Sequence, residues 1–235
     1  MLIEEFKNLT TKRGLSLTKE QIEQLNIYSL FLTEYNEKVN LTAITKYEDI
    51  LEKHFYDSLL PSFNKKLTGT LVDVGTGAGF PGVVLKICYP DLKVVLLEPI
   101  NKRCVFLKEL IEKLKLKNIE VITTRGEDYS INNREKYDYV TARAVTNLNN
   151  LIEVAGAMVK VGGYFIALRG ASGIEEIEAA DKAIKEMGFE IEETISESLP
   201  DGSIRIISYF RKIKASPKKY PRKYNIIKQR PLWVK

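Results

Sequence analysis

The stretch LVDVGTGAGFPG (residues 71–82) begins with an apolar run that stops at three glycines on alternate positions, Gly75, Gly77 and Gly79. An apolar segment with helical spacing follows, so the pattern predicts a strand, a tight turn and a helix. Pro81 suits the first turn of that helix, because its ring fixes φ and it has no N–H to leave unpaired. Because glycine has no Cβ atom, the turn allows a ligand to lie directly against the backbone.

A carboxylate follows the next predicted strand, since the run VVLL at residues 94–97 ends at Glu98. In a doubly wound sheet this position lies beside the glycine turn, where a carboxylate can accept both hydroxyls of a ribose. Glycine turns also occur for steric reasons alone. The turn and the acid together predict a site for a nucleoside-bearing cofactor.

The spacing of the glycines favours S-adenosylmethionine over a dinucleotide. A dinucleotide fold places a pyrophosphate at the helix N-terminus and spaces its glycines G-x-G-x-x-G. Here the spacing is G-x-G-x-G, and Asp73 precedes it. S-adenosylmethionine carries no phosphate, and an acid at the end of the strand would stabilise its cationic sulfonium and amino groups. An NAD-dependent oxidoreductase is the alternative.

Predicted strands and helices alternate from residue 71 to residue 187, which is typical of a parallel sheet between two layers of helices. The last two strands are separated only by a short polar turn around Pro200-Asp201-Gly202, so they should pair antiparallel. We expect an α/β three-layer sandwich with a seven-stranded, mostly parallel sheet and an antiparallel last strand. The predicted strands are 71–75, 93–98, 119–123, 137–142, 163–169, 189–196 and 203–211, and the predicted helices are 82–88, 101–116, 148–158 and 173–187.

The chain has 235 residues, 44% of them hydrophobic, and can bury a core of its own. We expect an N-terminal helical extension (1–68), a cofactor-binding domain (69–211) and a basic C-terminal tail (212–235).

A match to a capping box at 18–21 and apolar residues at three- and four-residue steps favour helices in the extension. It is expected to be helical throughout. A further helix is predicted over 47–60, with three residues on one face whose role stays open: His54, Asp57 and Ser58.

The composition argues against a membrane protein, a secreted protein and a zinc protein. No apolar run reaches transmembrane length, and the N-terminus lacks the features of a signal peptide, so we expect a cytoplasmic protein. The two cysteines, Cys88 and Cys104, fall on apolar positions of predicted helices, which favours buried free thiols. With a single histidine in the chain, no metal site is expected.

The last 25 residues carry ten lysines and arginines and no acid. The other 210 residues hold 26 basic and 31 acidic side chains, so these last 25 residues alone give the chain its net charge of +5. Three aromatic residues, Tyr220, Tyr224 and Trp233, are interleaved with these charges. Cations bind phosphates and aromatic rings stack on bases, so the tail is expected to face RNA. A solvated basic terminus is the alternative.

Six motifs spread in order over nearly the whole chain resemble the RsmG (GidB) family of bacterial small-subunit rRNA methyltransferases: NLTAI (40–44), HFYDSLL (54–60), DVGTGAGFPG (73–82), KRCVFLKEL (102–110), TARAV (141–145) and KKYPRK (218–223). The resemblance implies a class I S-adenosylmethionine-dependent methyltransferase fold, which is Rossmann-like, with S-adenosylmethionine as the methyl donor. It implies N7 methylation of one guanine of 16S rRNA, nucleotide 527 in the 530 loop. The expected partner is therefore 16S rRNA or the small ribosomal subunit, and we expect the protein to be a monomer.

The resemblance also implies donor-site residues, which are Gly75, Phe80, Gly126, Glu127 and Arg143. Gly77 of the glycine turn and Glu98 at the end of the next strand are also expected to bind the donor. A loop after a strand end can meet an adenine, and the carboxyl edge of a sheet is where ligands bind. The alternatives are a helix-start acid for Glu127 and a surface ion pair for Arg143. Arg143 is also the expected catalytic residue, because it would help to orient the donor and the guanine.

The residues expected to bind RNA are Lys218, Lys219, Arg222 and Lys223 in the tail, and Arg169. Family members commonly have a lysine in place of Arg169, and a glycine and a proline in place of Asn225 and Ile227. Arginine keeps the charge and changes its geometry. These departures concern the path of the tail and its fit to RNA, and the donor site is unaffected.

Guanine N7 carries an unprotonated lone pair, so its methylation needs no base to remove a proton. Proximity and alignment can supply about 7 to 11 kcal/mol of the acceleration. Thr141-Ala142-Arg143 stands where exocyclic-amine methyltransferases tend to have Asn-Pro-Pro or Asp-Pro-Pro. We therefore expect a site without an obligatory general base, acting on a base that is unpaired or turned out of its stack. The alternatives are another rRNA base or a small molecule as acceptor, and a non-catalytic RNA-binding assembly factor.

Overall fold

The computed structural model describes residues 1–143 and 146–232. Seven strands form one sheet: β1 Thr70–Val74, β2 Lys93–Leu97, β3 Ile119–Ile122, β4 Tyr137–Arg143, β5 Val159–Arg169, β6 Phe189–Ser198 and β7 Ile204–Lys212. Their order across the sheet is β3-β2-β1-β4-β5-β7-β6. The neighbours from β3 to β5 pair in parallel, and β7 lies antiparallel between β5 and β6. The seven predicted strands and the antiparallel last strand are therefore confirmed.

The strand order reverses direction between β1 and β4. Chain connections leave β1 toward β2 and β3 on one side and continue from β4 to β5 on the other. Ligands of doubly wound folds bind at such a switch point, outside the carboxyl ends of the strands. The glycine turn that follows β1 and the last residue of β4, Arg143, both lie at this point.

Ten α-helices and one π-helical segment, Ile50–Tyr56, are present in the described residues. The α-helices are α1 Ile3–Lys12, α2 Lys19–Asn36, α3 Tyr47–Asp49, α4 Asp57–Asn64, α5 Gly82–Cys88, α6 Asn101–Lys113, α7 Gly126–Asn132, α8 Leu148–Gly156, α9 Gly173–Glu186 and α10 Tyr224–Gln229. The patterns at residues 82–88, 101–116, 148–158 and 173–187 correspond to α5, α6, α8 and α9. The two short helices α7 and α10 are not predicted by those patterns.

Alternation along the strands separates two hydrophobic cores, one on each face of the sheet. On β1, Leu71 belongs to the core under α2, α5 and α6, whereas Val72 and Val74 belong to the core under α8 and α9. Side chains that alternate between two buried faces explain why the strands read as continuous apolar runs. The three-layer sandwich expected from the sequence is confirmed.

The N-terminal helices contribute to the first of these cores. Phe6 of α1, Tyr28 of α2 and Phe55 of the π-helical segment are fully buried in it. The capping box predicted at the start of α2 is present, since the side chains of Thr18 and Gln21 each bond to the backbone N–H of the other. Two of the N-terminal helices, α2 and α4, pack directly on α5, which carries the glycine turn at its start.

The extension is not helical throughout, so that prediction is wrong for residues 13–18, 37–46 and 65–68, of which 37–46 form the longest loop. Asn36 ends α2 and turns the chain. Its carboxamide oxygen accepts the N–H groups of Leu41 and Thr42, and its amide donates to the carbonyl of Thr42. An asparagine side chain that bonds to nearby backbone groups competes with continued helix. Apolar spacing alone carries no signal of this competition.

Other expectations from composition concern cysteines, metals and membranes. Cys88 and Cys104 are buried free thiols, as predicted. No group of three or more His, Cys, Asp or Glu residues within 1–143 and 146–232 is arranged to hold a metal ion. None of the described helices has the length and apolar character needed to cross a membrane.

Candidate active site

The glycine turn leaves β1 through backbone conformations that other residues rarely adopt. The φ angles are +67° at Gly75, +61° at Gly77 and +102° at Gly79. The N–H of Gly75 donates to the carbonyl of Leu97 at 2.9 Å, which ties the turn to the end of β2. A Cβ atom on Gly79 would lie 2.7 Å from the hydroxyl oxygen of Tyr28. Both the φ values and the close approach therefore require glycine here.

Asp73 fastens the turn to the start of α5. One of its carboxylate oxygens accepts the hydroxyl of Thr76 at 2.6 Å and the N–H of Gly82 at 2.8 Å. Burial raises the pKa of this carboxyl to about 6, against the hydrogen bonds that favour its charged form. Because Asp73 is fully buried, it shapes the turn from behind and is not among the residues that face the open site.

Glu98 holds the open side of the turn. Its Oε2 accepts the N–H of Gly77 at 3.0 Å, and its Oε1 accepts the N–H of Ile100 at 2.9 Å. The guanidinium of Arg103 lies 3.9 Å from the carboxylate. Each carboxylate oxygen has a second lone pair. Glu98 thus anchors the glycine turn and retains acceptor capacity toward a ligand.

A cavity of about 310 Å³ opens beside Glu98 at the switch point, and we call it the donor cavity. Five of the seven predicted donor-site residues line it, namely Gly75, Glu98, Gly126, Glu127 and Arg143. Its apolar wall comes from Val74, Ile100, Leu151 and Val154, and Thr124, Arg125, Thr146 and Tyr224 also line it. The structure therefore brings together residues from the turn, from the loop before α7 and from the end of β4.

Gly126 begins α7 where the backbone passes between two valines of the apolar wall. A Cβ atom on Gly126 would lie 2.7 Å from a methyl of Val154 and 2.8 Å from a methyl of Val74. The neighbouring Glu127 is 5% exposed, and burial raises the pKa of its carboxyl. The glycine keeps this side of the donor cavity open.

The two remaining predicted donor-site residues do not line the donor cavity. Gly77 bonds to Glu98 as described above. Phe80 is buried, with its ring centroid 5.4 Å from that of Tyr28 and 4.3 Å from that of His54. The guanidinium carbon of Arg143 lies 4.9 Å from the centroid of the Phe80 ring. Phe80 therefore supports Arg143, which does reach the cavity.

The face that carries His54 and Asp57 also holds Arg143. One carboxylate oxygen of Asp57 accepts a hydrogen bond from NH1 of Arg143 at 2.9 Å. The other oxygen accepts a hydrogen bond from Nε of Arg205 at 2.8 Å. The hydroxyl of Ser58 instead donates to the backbone carbonyl of His54. Burial, with a smaller effect of the Arg143 charge, lowers the pKa of His54 to about 3, so the imidazole is neutral. Two of these three side chains therefore contact the predicted catalytic arginine.

The tail folds back onto α8 and reaches the donor cavity. Tyr224 of α10 lines the cavity, and the guanidinium of Arg125 lies 5.1 Å from the centroid of its ring. Tyr220 is buried against the second core, so two of the tail's aromatic residues have a site within the fold. Trp233, and the last two residues of the TARAV motif, lie outside the described residues. Spacing does not reveal that Tyr224 would reach the cavity.

The residues predicted to bind RNA differ in their surroundings. Lys218 and Lys223 are exposed, and Lys219 is exposed and lies 3.0 Å from Glu186. Arg222 instead makes two side-chain bonds, of 2.7 and 2.6 Å, to Glu153, whose side chain is fully buried. Arg169 bonds to Glu176 at the end of β5, apart from the tail. The structure thus groups the three lysines on the surface and gives Arg222 an internal partner.

Comparison with known proteins places the chain in a family. A family model described as rRNA small subunit methyltransferase G (GidB) matches residues 21–201. The chain belongs to this family. Two relatives called ribosomal RNA small subunit methyltransferase G are similar over nearly their whole length. The one from Bacillus subtilis is 45% identical over 228 residues, 95% of each chain, and the one from Lysinibacillus sphaericus is 43% identical over 234 residues, 97% of this chain and 98% of that one.

Solved structures extend the comparison beyond rRNA small subunit methyltransferase G. The TYW2 protein of M. jannaschii, crystallised in complex with AdoMet, superposes with a TM-score of 0.55. The match covers 73% of this chain and 80% of that chain at 15% identity, a level at which only the fold is shared. The fold of this member of the methyltransferase G family is that of class I S-adenosylmethionine-dependent methyltransferases, as predicted.

Proposed function

We propose that this protein transfers a methyl group from S-adenosylmethionine to guanine N7 in 16S rRNA, at nucleotide 527 of the 530 loop. The proposal rests on the donor cavity. There Glu98 accepts a hydrogen bond from the glycine turn, and Arg143 lines the cavity from the end of β4. Family membership supports ribosomal RNA of the small subunit as the substrate.

The residues of the donor cavity fit the proposed donor. A volume of about 310 Å³ is within the range of small-molecule sites. Glu98 has lone pairs for ribose hydroxyls, and the wall formed by Ile100 and Val154 suits an adenine ring. Gly75 and Gly126 leave room at the backbone. When bound, S-adenosylmethionine supplies a methyl group that is activated for transfer by the positive charge on sulfur.

The chain's own groups bind and align the reactants. Arg143 is fixed from below by Phe80 and from the side by Asp57, so its guanidinium keeps one orientation at the mouth of the cavity. His54 is neutral and buried, so it adds no positive charge beside a positively charged donor. Because guanine N7 carries no proton, no residue has to remove one. Alignment is therefore the main task of the site.

The carboxylate best placed to act as a base is Glu127, because it lines the donor cavity and its pKa is raised by burial. We expect Glu127→Gln to keep kcat within about tenfold of the wild-type value, since the acceptor atom has no proton to lose. Donor and RNA affinities of the variant are measured alongside kcat. Loss of turnover with both affinities unchanged would establish a general base and overturn this part of the proposal.

The deciding experiment for the function uses small subunits and naked 16S rRNA from cells that lack this methylation. Each is incubated with the protein and labelled S-adenosylmethionine, and the label is mapped by cleavage at N7-methylguanosine. We expect label at nucleotide 527 only. Label on another base or on a small molecule supports a different acceptor, and RNA binding without label supports the assembly-factor alternative. Which of the two RNA substrates is labelled identifies the form that the enzyme uses.

Two further features of the proposal follow from its substrate. A bacterial enzyme that methylates ribosomal RNA works in the cytoplasm, and we propose that location for this protein. We also propose that it acts as a monomer, because the donor cavity, Arg143 and the exposed lysines of the tail all come from one chain. Sedimentation of the protein with and without S-adenosylhomocysteine measures the oligomeric state.

A further inference from the structure

A second cavity, of about 320 Å³, lies next to the donor cavity, and we call it the basic cavity. Arg143 lines both cavities. The other charged or polar side chains that line the basic cavity are Lys53, His54, Asp57, Arg169 and Arg205. It therefore opens at the carboxyl ends of β4 and β5 and at the start of the antiparallel β7. A group held there would lie against a group held in the donor cavity.

Positive charge is in excess around the basic cavity. Four cationic side chains line it, against the single carboxylate of Asp57, and His54 adds no charge because its pKa is lowered to about 3 by burial. That carboxylate is shared between Arg143 and Arg205. Lys53 is balanced by Asp49 at 3.0 Å and Asp201 at 3.6 Å. Glu176 pairs with Arg169, so the three arginines face two carboxylates, and the uncompensated charge belongs to them.

Arg169 is the least satisfied of these arginines. Its side chain is 9% exposed, and one terminal nitrogen, NH2, bonds to Glu176. Its Nε and NH1 are buried and have no hydrogen-bond partner within residues 1–143 and 146–232. Buried donors without an acceptor are costly to a folded protein. Nε and NH1 lie on different edges of the guanidinium, so each can donate its own charge-assisted hydrogen bond to a phosphate oxygen.

We propose that the basic cavity binds the RNA phosphate that adjoins the target guanine, with Arg169 and Arg205 as its ligands. The inference rests on the proposed function, because that function makes RNA the substrate. It adds the part of the nucleotide that is recognised and the residues that recognise it. A phosphate held against Arg169 and Arg205 brings its nucleotide beside Arg143, at the boundary with the donor cavity. Neither Arg205 nor Lys53 belongs to the residues predicted from the sequence.

The test begins with small probes and needs no turnover. The protein is saturated with S-adenosylhomocysteine, so that the donor cavity is filled, and is titrated at low salt with GMP, guanosine and inorganic phosphate by NMR. We expect GMP to bind about tenfold or more tightly than guanosine, because a charge-assisted contact to phosphate is present only in GMP. Inorganic phosphate should compete with GMP. Equal affinities for GMP and guanosine, or displacement of S-adenosylhomocysteine by GMP, would refute the phosphate site.

Two variants and a matched control locate the effect. Arg169→Gln and Arg205→Gln should each weaken GMP binding about tenfold and leave guanosine binding unchanged. Lys160→Gln removes the same charge at the start of β5, at the other end of that strand, and should bind GMP like the wild type. Arg169→Lys and Arg205→Lys retain the charge if the glutamine variants fold poorly. Wild-type affinity for GMP in both arginine variants would eliminate the assignment.

Methylation assays separate this inference from the proposed function. If rRNA is methylated and both arginine variants raise the KM for RNA with little change in kcat, both proposals stand. If rRNA is methylated and neither variant changes GMP affinity or KM, the basic cavity is wrongly assigned and the function remains. If rRNA is not methylated while GMP binding still depends on Arg169 and Arg205, the phosphate site remains and the function is wrong.

Discussion

Arg143 depends on side chains that are far from it in sequence. Asp57 accepts a hydrogen bond from a terminal nitrogen of Arg143. The ring of Phe80 packs against the guanidinium, and the imidazole of His54 lies beside it. A rigid guanidinium fork with fixed partners loses little conformational freedom when it meets a ligand. The neutral imidazole of His54 is part of this arrangement, and it can be observed directly because the chain has a single histidine.

The imidazole of His54 is expected to remain neutral from pH 7 to pH 5. Burial, and to a smaller extent the charge of Arg143, lowers its pKa to about 3. The NMR signal of the imidazole Cε1 proton should therefore stay constant over this range. A titration midpoint near pH 6.5 would contradict the expectation.

The same pKa has a consequence for stability. Unfolded histidine titrates near pH 6.5 and folded His54 near 3, so below pH 6.5 the unfolded state binds the extra proton and stability is lost as the pH falls. Between pH 7 and pH 5 the wild type should lose about 2 kcal/mol of unfolding free energy relative to His54→Gln. Asp73, with a pKa raised to about 6, acts in the opposite direction, but its effect is common to both proteins and cancels. If the unfolding free energies of the wild type and of His54→Gln change equally between pH 7 and pH 5, the prediction is wrong.

Glu98 carries a second prediction at this scale. Glu98→Gln keeps the shape of the side chain and removes one acceptor and the charge. We expect the Kd for S-adenosylhomocysteine to rise about tenfold or more, because both the contact with ribose and the bond to Gly77 are weakened. Calorimetry measures it, and Glu112→Gln, an exposed position of α6, is the matched control. Equal affinities in the two variants would mean that Glu98 does not contact the donor.

At the scale of elements, an ion pair between Arg222 and a buried carboxylate holds the tail to the body of the protein. Glu153 of α8 is fully buried, and it accepts both the side chain and the backbone N–H of Arg222. Arg134 also holds the tail, because its guanidinium donates hydrogen bonds to the backbone carbonyls of Ser216 and Tyr220. The segment that carries the surface lysines therefore has a defined course, and α10 can present Tyr224 to the donor cavity.

Removing the arginine of this pair should destabilise the protein strongly. Arg222→Ala leaves a buried carboxylate without its cation, which costs about 3 to 5 kcal/mol unless the tail detaches. Urea unfolding and limited proteolysis of residues 213–232 measure the two outcomes. Arg222→Met combined with Glu153→Leu should recover most of the loss, because no charge is then buried. Lys223→Ala, its exposed neighbour, is the control, and similar behaviour of Arg222→Ala and Lys223→Ala would contradict the account.

At the scale of the whole molecule, charge is distributed unevenly. The last 25 residues carry ten of the chain's cations and no acid, and Tyr224 among them lines the donor cavity. Lys218→Gln, Lys219→Gln and Lys223→Gln together should weaken RNA binding and reduce the slope of log K against log salt by about 2, because single-stranded RNA contributes about 0.7 per phosphate contact. Filter binding at several salt concentrations measures the slope. Arg222 is excluded from this variant because its loss would disturb the fold.

A control with the same change in net charge separates local contacts from long-range attraction. Lys93, Lys115 and Lys117 are exposed at the amino ends of β2 and β3, at the edge of the sheet opposite the donor cavity. Their replacement by glutamine should leave the salt slope close to the wild-type value. If the two triple variants have the same slope, RNA binding depends on total charge and the tail has no special role.

Much of this architecture could be predicted from the sequence because its signals are local. The apolar run of β1, the glycines that follow it and the spacing of the later strands depend on neighbouring residues, so periodicity and turn chemistry identify them. The same holds for the capping box at Thr18 and for Glu98 at the end of a strand. The loop at residues 37–46 was missed because one asparagine side chain overrides helical spacing there.

By itself, the sequence determined the doubly wound sheet, its antiparallel last strand, the glycine turn and the residue types around a nucleoside. Only the tertiary structure decided that Asp57 pairs with both Arg143 and Arg205 and that Glu153 binds Arg222 while three lysines remain exposed. It also decided that two donors of Arg169 have no partner among the residues that the structure describes. The physical reason is distance along the chain. These partners are separated by 7 to 148 residues, and the Asp57 and Glu153 pairs meet only after the layers pack and exclude water.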